Sequence, residues 1–408
     1  MPYGIESELG QIVTKAHRIT NYNESRSYYN SSTEFFEEKA SREKFKSSRF
    51  MELAIDLSND VSVRRATHFL NRIRHEEQGI SPTTYRNTIE REGIAIQKHT
   101  EQKCETILLD KGFDSSGELQ DADAFIPSEK QHIEQAVIES AAIELNIWDY
   151  DAAEYELPEK AVNVSIDDVG VKRQTEMRPK DETQHQAKKV NNTVIHVQSG
   201  EKSYILNAAS IVSSLRMLIA FLLFNGLMKH QIVVFADGAR DINSLVRKLL
   251  HFANFKIILD WYHLEKKFKE ELSRALRSRE IRNEFFEEIR PYLWYGNVCG
   301  AIKLLKNIDP KKVKNFGTIN YLMEYLNRVQ DTIPCYALRK QLGLRNSSNL
   351  GEKANDMIVS NRQKHNGMSW SNHGSLAFAT LSATSRNSEV NHWLHHRDVR
   401  FSFVDEAA

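Results

Sequence analysis

The spacing of apolar positions along this chain changes character near Ala161. Ahead of it, apolar residues recur every three or four positions: Phe50, Leu53, Ala54 and Leu57, then Val63, Ala66, Phe69, Leu70 and Ile73 after the Ser58-Asn59-Asp60 break. That period lines one face of a helix. Gly79 ends the second run, and Ser81-Pro82 offers an N-cap with proline in the first turn of a third helix, Thr83 to Glu92. Three short helices with a tight turn before a basic third helix, carrying Arg86 and Arg91, form a helix-turn-helix-like outline that any small helical bundle would also give. Glu129 to Leu145 predicts one more amphipathic helix, strongly acidic, and Asp149 to Glu159 a linker. Residues 1–48 are polar and weakly patterned, a lead-in of short helices or partial disorder.

From Ala161 the period shortens to two. Val162 to Ile166 predicts a strand running into Asp167-Asp168, followed by a polar stretch from Val171 to Lys189 that reads as a surface loop or flap. Thr193 to Gln198 and Ser203 to Leu206 form a hairpin about Ser199-Gly200, and Ser210 to Phe224 a long helix. Ile232 to Phe235 is an apolar β-branched run stopped by Asp237-Gly238. A helix with Ile242, Leu245, Val246, Leu249 and Leu250 follows, then a second run, Phe255 to Leu259, stopped by Asp260. Strand, helix, strand over so short a span is a βαβ unit with parallel, buried strands. Helical patterns then continue to about Leu344. Ser347-Ser348-Asn349 caps a helix containing Glu352, Met357, Ile358 and Arg362, and a last helix covers Ser371 to about Thr384. The class is α/β, with segments 1–48, 49–158 (helical, DNA-binding by outline), 159–263 (core strands), 264–345 (helical insertion) and 346–408 (a helix with Glu352 and a basic tail).

Composition changes this picture little. Lysine plus arginine and aspartate plus glutamate both number 55, so no bulk attraction to nucleic acid exists, although acids gather in 118–160 and cations in 339–400. Three widely separated cysteines argue against a zinc module and suit a reducing compartment. The first residues lack a basic-then-apolar leader, and the run Met217 to Phe224 is too short to span a bilayer, so a cytoplasmic protein without membrane contact is expected.

Three of the strand ends are acidic, and ligands of open α/β sheets sit at those ends. Each aspartate is either a helix N-cap or a metal ligand, and a set of them favours the ligand. A strand ending in Asp, a hairpin, then parallel strands ending in Asp is the order of a ribonuclease H-like fold, whose first and fourth strands are neighbours and would bring Asp167 and Asp237 together. SIDDVGV around Asp167, VVFADGA around Asp237, LDWYH, and GEKANDMIVSNRQKHNGMSWSNHG around Glu352 resemble bacterial insertion-sequence transposases of the DDE type, in the group that includes the Mutator-like elements. The resemblance covers about 160 to 385, and Asp260-x-x-His263 is similar to that group's C/D-x-x-H signature.

The resemblance implies a ribonuclease H-like catalytic core with a helical insertion, preceded by an all-helical N-terminal region containing the helix-turn-helix-like segment. It implies Asp167, Asp237 and Glu352 as ligands of two Mg2+ ions, for which Mn2+ can substitute, with Asp260 and His263 auxiliary. Arg362 and Lys364, beyond Glu352, are expected to reach phosphate, as are Arg86 and Arg91 in the N-terminal region. Asp168 rivals Asp167, because neighbours on a strand face opposite ways, and Glu389 rivals Glu352. Asp237 could instead cap the following helix, and Trp370 and Trp393 read as core. The activity implied is DNA transposition in a bacterial nucleoid. The protein would cut element terminal repeats and join the 3′-OH to target DNA, acting as a homodimer or higher oligomer on double-stranded DNA. The alternatives are a ribonuclease H-like nuclease or resolvase, and a non-catalytic DNA-binding regulator derived from a transposase.

Overall fold

In the computed structural model, the described residues are 2–7, 10–15, 18–21, 26–29, 45–75, 79–114, 117–120, 131–174, 188–364 and 368–403. The chain opens with strands. β1 (Pro2–Ser7) pairs antiparallel with β2 (Gly10–Lys15), β3 (Arg18–Asn21) with β4 (Arg26–Tyr29), and β5 (Phe45–Lys46) lies parallel to β1. The expected helices of the lead-in are therefore absent from these stretches, and the N-terminal region is not all-helical. The β-branched Ile12-Val13-Thr14 and Ile19-Thr20 favour extended backbone over helix.

Helices α1 (Ser48–Asp60), α2 (Val63–Ile73) and α3 (Pro82–Asp110) follow where the apolar period placed them. Ser47 and Ser62 cap the first two by accepting from Phe50 N and Arg65 N. α3 runs eighteen residues past the expected end at Glu92 (110 against 92), so Gly93 does not break it. α4 (Gln135–Glu144) is shorter than expected at its start. Next come β6 (Ala161–Lys172), β7 (Lys189–Ser199), β8 (Lys202–Ala208), α5 (Ile211–Phe224), β9 (Gln231–Ala236), α6 (Arg240–Leu249) and β10 (Phe255–Leu259). The helical stretch after β10 contains α7 (Trp261–Ala275), α8 (Arg279–Trp294), α9 (Val298–Lys306), α10 (Phe316–Val329) and α11 (Tyr336–Gln341). α12 (Asn349–Asn355) passes into a π-helical turn, Asp356–Ser360, before α13 (Asn372–Arg386) and α14 (Val390–His396).

These elements form two compact units. One contains residues 1–102, 170–192 and 356–401; the other contains 103–169, 193–355 and 402–408. The division differs from the one read along the sequence. The segment 49–158 is cut inside α3, and 346–408 is cut at the π-helical turn, which separates Glu352 from the basic tail. In the first unit α13 and α14 pack on α1. Phe50, Ile55, Leu70, Ile89, Ile96, Trp393 and Phe401 are all buried there, and Gly93 lets α3 approach α13 so closely that a Cβ would stand 2.4 Å from Ala377 O.

The second unit is organised by a mixed five-stranded sheet of order β10-β9-β6-β7-β8. β6, β9 and β10 run parallel, with Val162 opposite Ile232 and Phe255 opposite Ile232 on the other side, while β7 and β8 form the antiparallel hairpin. The first strand of the sheet thus lies beside the fourth. Every residue of β9 is buried, as an unbroken apolar run requires. β6 continues to Lys172 with Val169 and Val171 buried, so Asp167 sits inside a strand rather than at its end. The adjacent acids mimic a turn in the sequence, yet the alternation of Val169 and Val171 carries the strand through. Residues 175–187, most of the expected flap, lie outside the described residues. Leu264, Phe268, Leu272, Ile289, Leu322 and Leu326 of the helical stretch share one core with Val233, Phe235 and Ile258 of the sheet. Among the described residues no helix is long and apolar enough to cross a membrane.

Candidate active site

The β6–β9 ladder runs to Ser165 opposite Phe235. Two residues further along each strand stand Asp167 and Asp237, so the register brings the two carboxylates to one end of the sheet. Asp167 and Asp168 face opposite sides of β6. Asp168 accepts a hydrogen bond from Thr193 Oγ1 on β7, whereas Asp167 lines a cleft with Asp237, His263, Glu352 and Asn355. Of the two adjacent acids, Asp167 is the one that faces this cleft.

Asp237 follows β9 in a turn whose Gly238 has φ +84°, a left-handed conformation that glycine adopts without strain. Tyr325 Oη and Leu259 lie 3.0 and 3.1 Å from the place a Gly238 Cβ would take, so the turn is pressed onto α10. Asp237 Oδ1 accepts from Ala239 N at 2.8 Å. That bond closes a local turn; the N-cap position of α6 is Ala239 and receives no side-chain cap, so Asp237 does not cap the helix, and its other oxygen makes no hydrogen bond among the described residues.

Asp260 works differently. It is 1% exposed, and it caps α7 by accepting from His263 N at 3.1 Å through Oδ1 while Oδ2 accepts from Ser348 N. One carboxylate thereby fixes both the start of α7, which carries His263, and the approach to α12, which carries Glu352. Asp260→Ala leaves two N–H groups without acceptors and is expected to lower the unfolding free energy by about 2 kcal/mol. Urea denaturation checks this; a loss below about 0.5 kcal/mol would show that the clamp does not hold these helices.

Glu352 comes from the first turn of α12, and His263 Nε2 lies 3.2 Å from its Oε1. Asn355, three residues on and so on the same helix face, donates from Nδ2 to Asp167 Oδ2, while its buried Oδ1 has no partner among the described residues. α12 reaches β6 this closely because position 351 is glycine: a Cβ there would stand 2.4 Å from Ser165 Cβ. Gly351, Asn355 and Tyr325 were not singled out in the sequence, and Ser348 only as part of a helix cap. For Asn355 the three-residue spacing from Glu352 was the available signal; the others depend on contacts between distant segments.

Burial is the largest influence on Asp167 and raises its pKa; the neighbouring His263 opposes this and Asp237 adds to it. Glu352 is likewise raised, first by burial, with His263 lowering it and Asp260 and Asp167 raising it further. These acids feel one another's charge, which is how perturbed groups cluster in functional sites. The cleft itself is narrow, about 10 Å³, room for about one water. Among the described residues no three His, Cys, Asp or Glu side chains stand close enough to hold one metal ion. The donor chemistry fits a hard divalent cation, with three carboxylates and the partnerless Asn355 Oδ1; the spacing is not that of a closed cage.

The expected phosphate contacts belong to the first unit. Arg86 and Arg91 are exposed on α3, Arg86 3.8 Å from Glu90, and Lys364 is exposed. Arg362 departs from the expectation of an open phosphate contact. It is 6% exposed, donates from Nε to Ser58 O, and lies over Trp370 and Phe378. Glu389 is 1% exposed and both its oxygens accept from the backbone, at Arg400 and Phe401, in the segment after α14. Trp370 and Trp393 are core residues. Comparison of the chain with known protein families, with curated proteins and with solved structures finds no match.

Proposed function

We propose that the chain is a metal-dependent DDE transposase with a ribonuclease H-like core. The observation that carries this reading is the single cleft lined by Asp167 from β6, Asp237 after β9 and Glu352 of α12. The strand order, with β6 between the hairpin and β9, agrees with it. Asp167, Asp237 and Glu352 would hold Mg2+, or Mn2+ in its place, and two such ions when bound polarise a phosphodiester and activate the attacking oxygen. The chain's own residues prepare that step. His263 holds Glu352, Asn355 holds Asp167, and Asp260 fixes the two helix starts that carry His263 and Glu352. Because an oxygen of Asp167 and one of Glu352 already face protein donors, ion capture in this reading includes a change of partner for Asn355 and His263.

Double-stranded DNA is the substrate, as element ends and as target. In this reading the helix-turn-helix-like segment α1 to α3 contributes to end recognition through Arg86 and Arg91, and paired ends call for a homodimer or higher oligomer on the DNA in the bacterial nucleoid. The test is cleavage and joining of a labelled element-end duplex with Mg2+, run beside Asp237→Ala and Glu352→Ala. Cut and joined products that both variants lack support the transposase. Cutting without joining moves the reading to a nuclease or resolvase, and binding without cutting under any divalent ion moves it to a regulator.

A further inference from the structure

We propose that a cavity in the first unit binds a phosphate-bearing ligand of nucleotide size, a site separate in its residues from the catalytic cleft. The cavity measures about 340 Å³, within the range of small-ligand pockets, roughly 300–1,000 Å³. Its apolar wall is Met368, Trp370 and Phe378, and its cations are Arg64, Arg86 and Arg362. One carboxylate, Glu90, faces them and lies 3.8 Å from Arg86. Two guanidinium charges therefore remain without an acid in the cavity wall.

Arg362 supplies the second and independent observation. Its side chain is 6% exposed and its guanidinium sits 5.4 Å from the Trp370 ring centroid and 5.3 Å from that of Phe378. Nε donates to Ser58 O and Nη1 to Met368 Sδ, but Nη2 has no acceptor among the described residues. A phosphate oxygen meets the fork geometry of such a guanidinium well. Ser62 and Ser371, also in the wall, cap α2 and α13, so two helix starts add partial positive charge on the same side. The apolar wall beside this cationic group suits the flat body of a nucleotide.

The test is equilibrium binding of the full chain to inorganic phosphate, dAMP, deoxyadenosine and a short labelled duplex. The expected result is dAMP binding tighter than deoxyadenosine, weakened about tenfold by Arg64→Gln or Arg86→Gln. Both positions are exposed, so these variants are expected to fold, and circular dichroism checks it. Arg362→Lys keeps the charge without the fork and is expected to weaken binding as well. If dAMP competes with the duplex and both lose affinity in the variants, the phosphate comes from DNA; if dAMP binds without affecting the duplex, a free nucleotide is the ligand. Either outcome supports the site. The inference is overturned if the folded Arg64→Gln and Arg86→Gln proteins bind all four probes as the unmodified protein does. Cleavage is read separately, since Asp237→Ala tests the catalytic cleft and leaves this cavity untouched.

Discussion

Asp167→Asn is expected to abolish DNA cleavage, by about a thousandfold or more, while making the metal-free protein more stable at neutral pH. The first half follows from the proposed role: an amide is a far weaker ligand for a hard cation than a carboxylate, and the stabilisation of the transition state is lost with the charge. The second half follows from the fold alone. Asp167 is a largely buried carboxylate whose pKa is raised, chiefly by burial, with Asp237 adding repulsion. A group raised in the folded state contributes stability fully below its unfolded pKa, and that contribution is lost as pH rises through the folded pKa. At pH 7 the ionised Asp167 is therefore a liability to folding, and the asparagine removes it. An amide oxygen at position 167 can still accept from Asn355 Nδ2, so the hydrogen bond seen in the structure survives. Thermal unfolding in EDTA at pH 4 and pH 7, beside the cleavage assay, measures both halves. A variant that is inactive and less stable at pH 7 would show that Asp167 is a structural residue.

That pairing of lost activity with gained stability separates functional acids from structural ones within this single site. Asp260 is the contrast: both its oxygens accept backbone N–H groups, and its removal destabilises. Local pattern alone does not tell the two apart, because each is an aspartate at an apparent strand end; only the resemblance gave them different roles. What it could supply was periodicity. The apolar run Ile232 to Phe235, the alternation from Thr193 to Gln198 and helices α1 and α2 all lie where local pattern placed them. The neighbouring of β6 and β9 was expected from strand order, and it places Asp167 and Asp237 in one cleft. Local pattern failed where the deciding contact is between distant segments. α3 continues through Gly93, where Ala377 of α13 passes against it, and β6 continues through its two acids, one facing the cleft and the other Thr193. Arg362 looked like a surface cation on a helix and is instead enclosed by Trp370 and Phe378. The strands of residues 2–29 went unread because their polar residues masked a β-branched pattern.

Gly351→Ala carries the second large effect, and it tests how the third acid is brought to the sheet. The added methyl group would stand 2.4 Å from Ser165 Cβ and 3.0 Å from Ser165 Oγ. Neither strand nor helix can absorb such an overlap locally: Cβ is fixed to the backbone of β6, and β6 is held in register by β9. α12 must move outward, and Glu352 and Asn355 move with it. Overpacking of this kind costs about 3 kcal/mol, and a displacement of about 1 Å at a catalytic group lowers the rate by about a hundredfold. Ser165→Gly clears the obstructing atoms without touching any acid. The double variant Ser165→Gly/Gly351→Ala is therefore expected to recover most of the stability and much of the cleavage lost in Gly351→Ala. Urea denaturation and cleavage rates for the two single variants, the double variant and the unmodified chain form a complete cycle. Additive losses in that cycle would mean that α12 and β6 do not press on each other at this point, and that Glu352 is positioned by Asp260 and Ser348 alone. A coupling of about 1 kcal/mol or more, with cleavage following stability, would make the absence of a side chain at 351 the feature that sets Glu352 against Asp167.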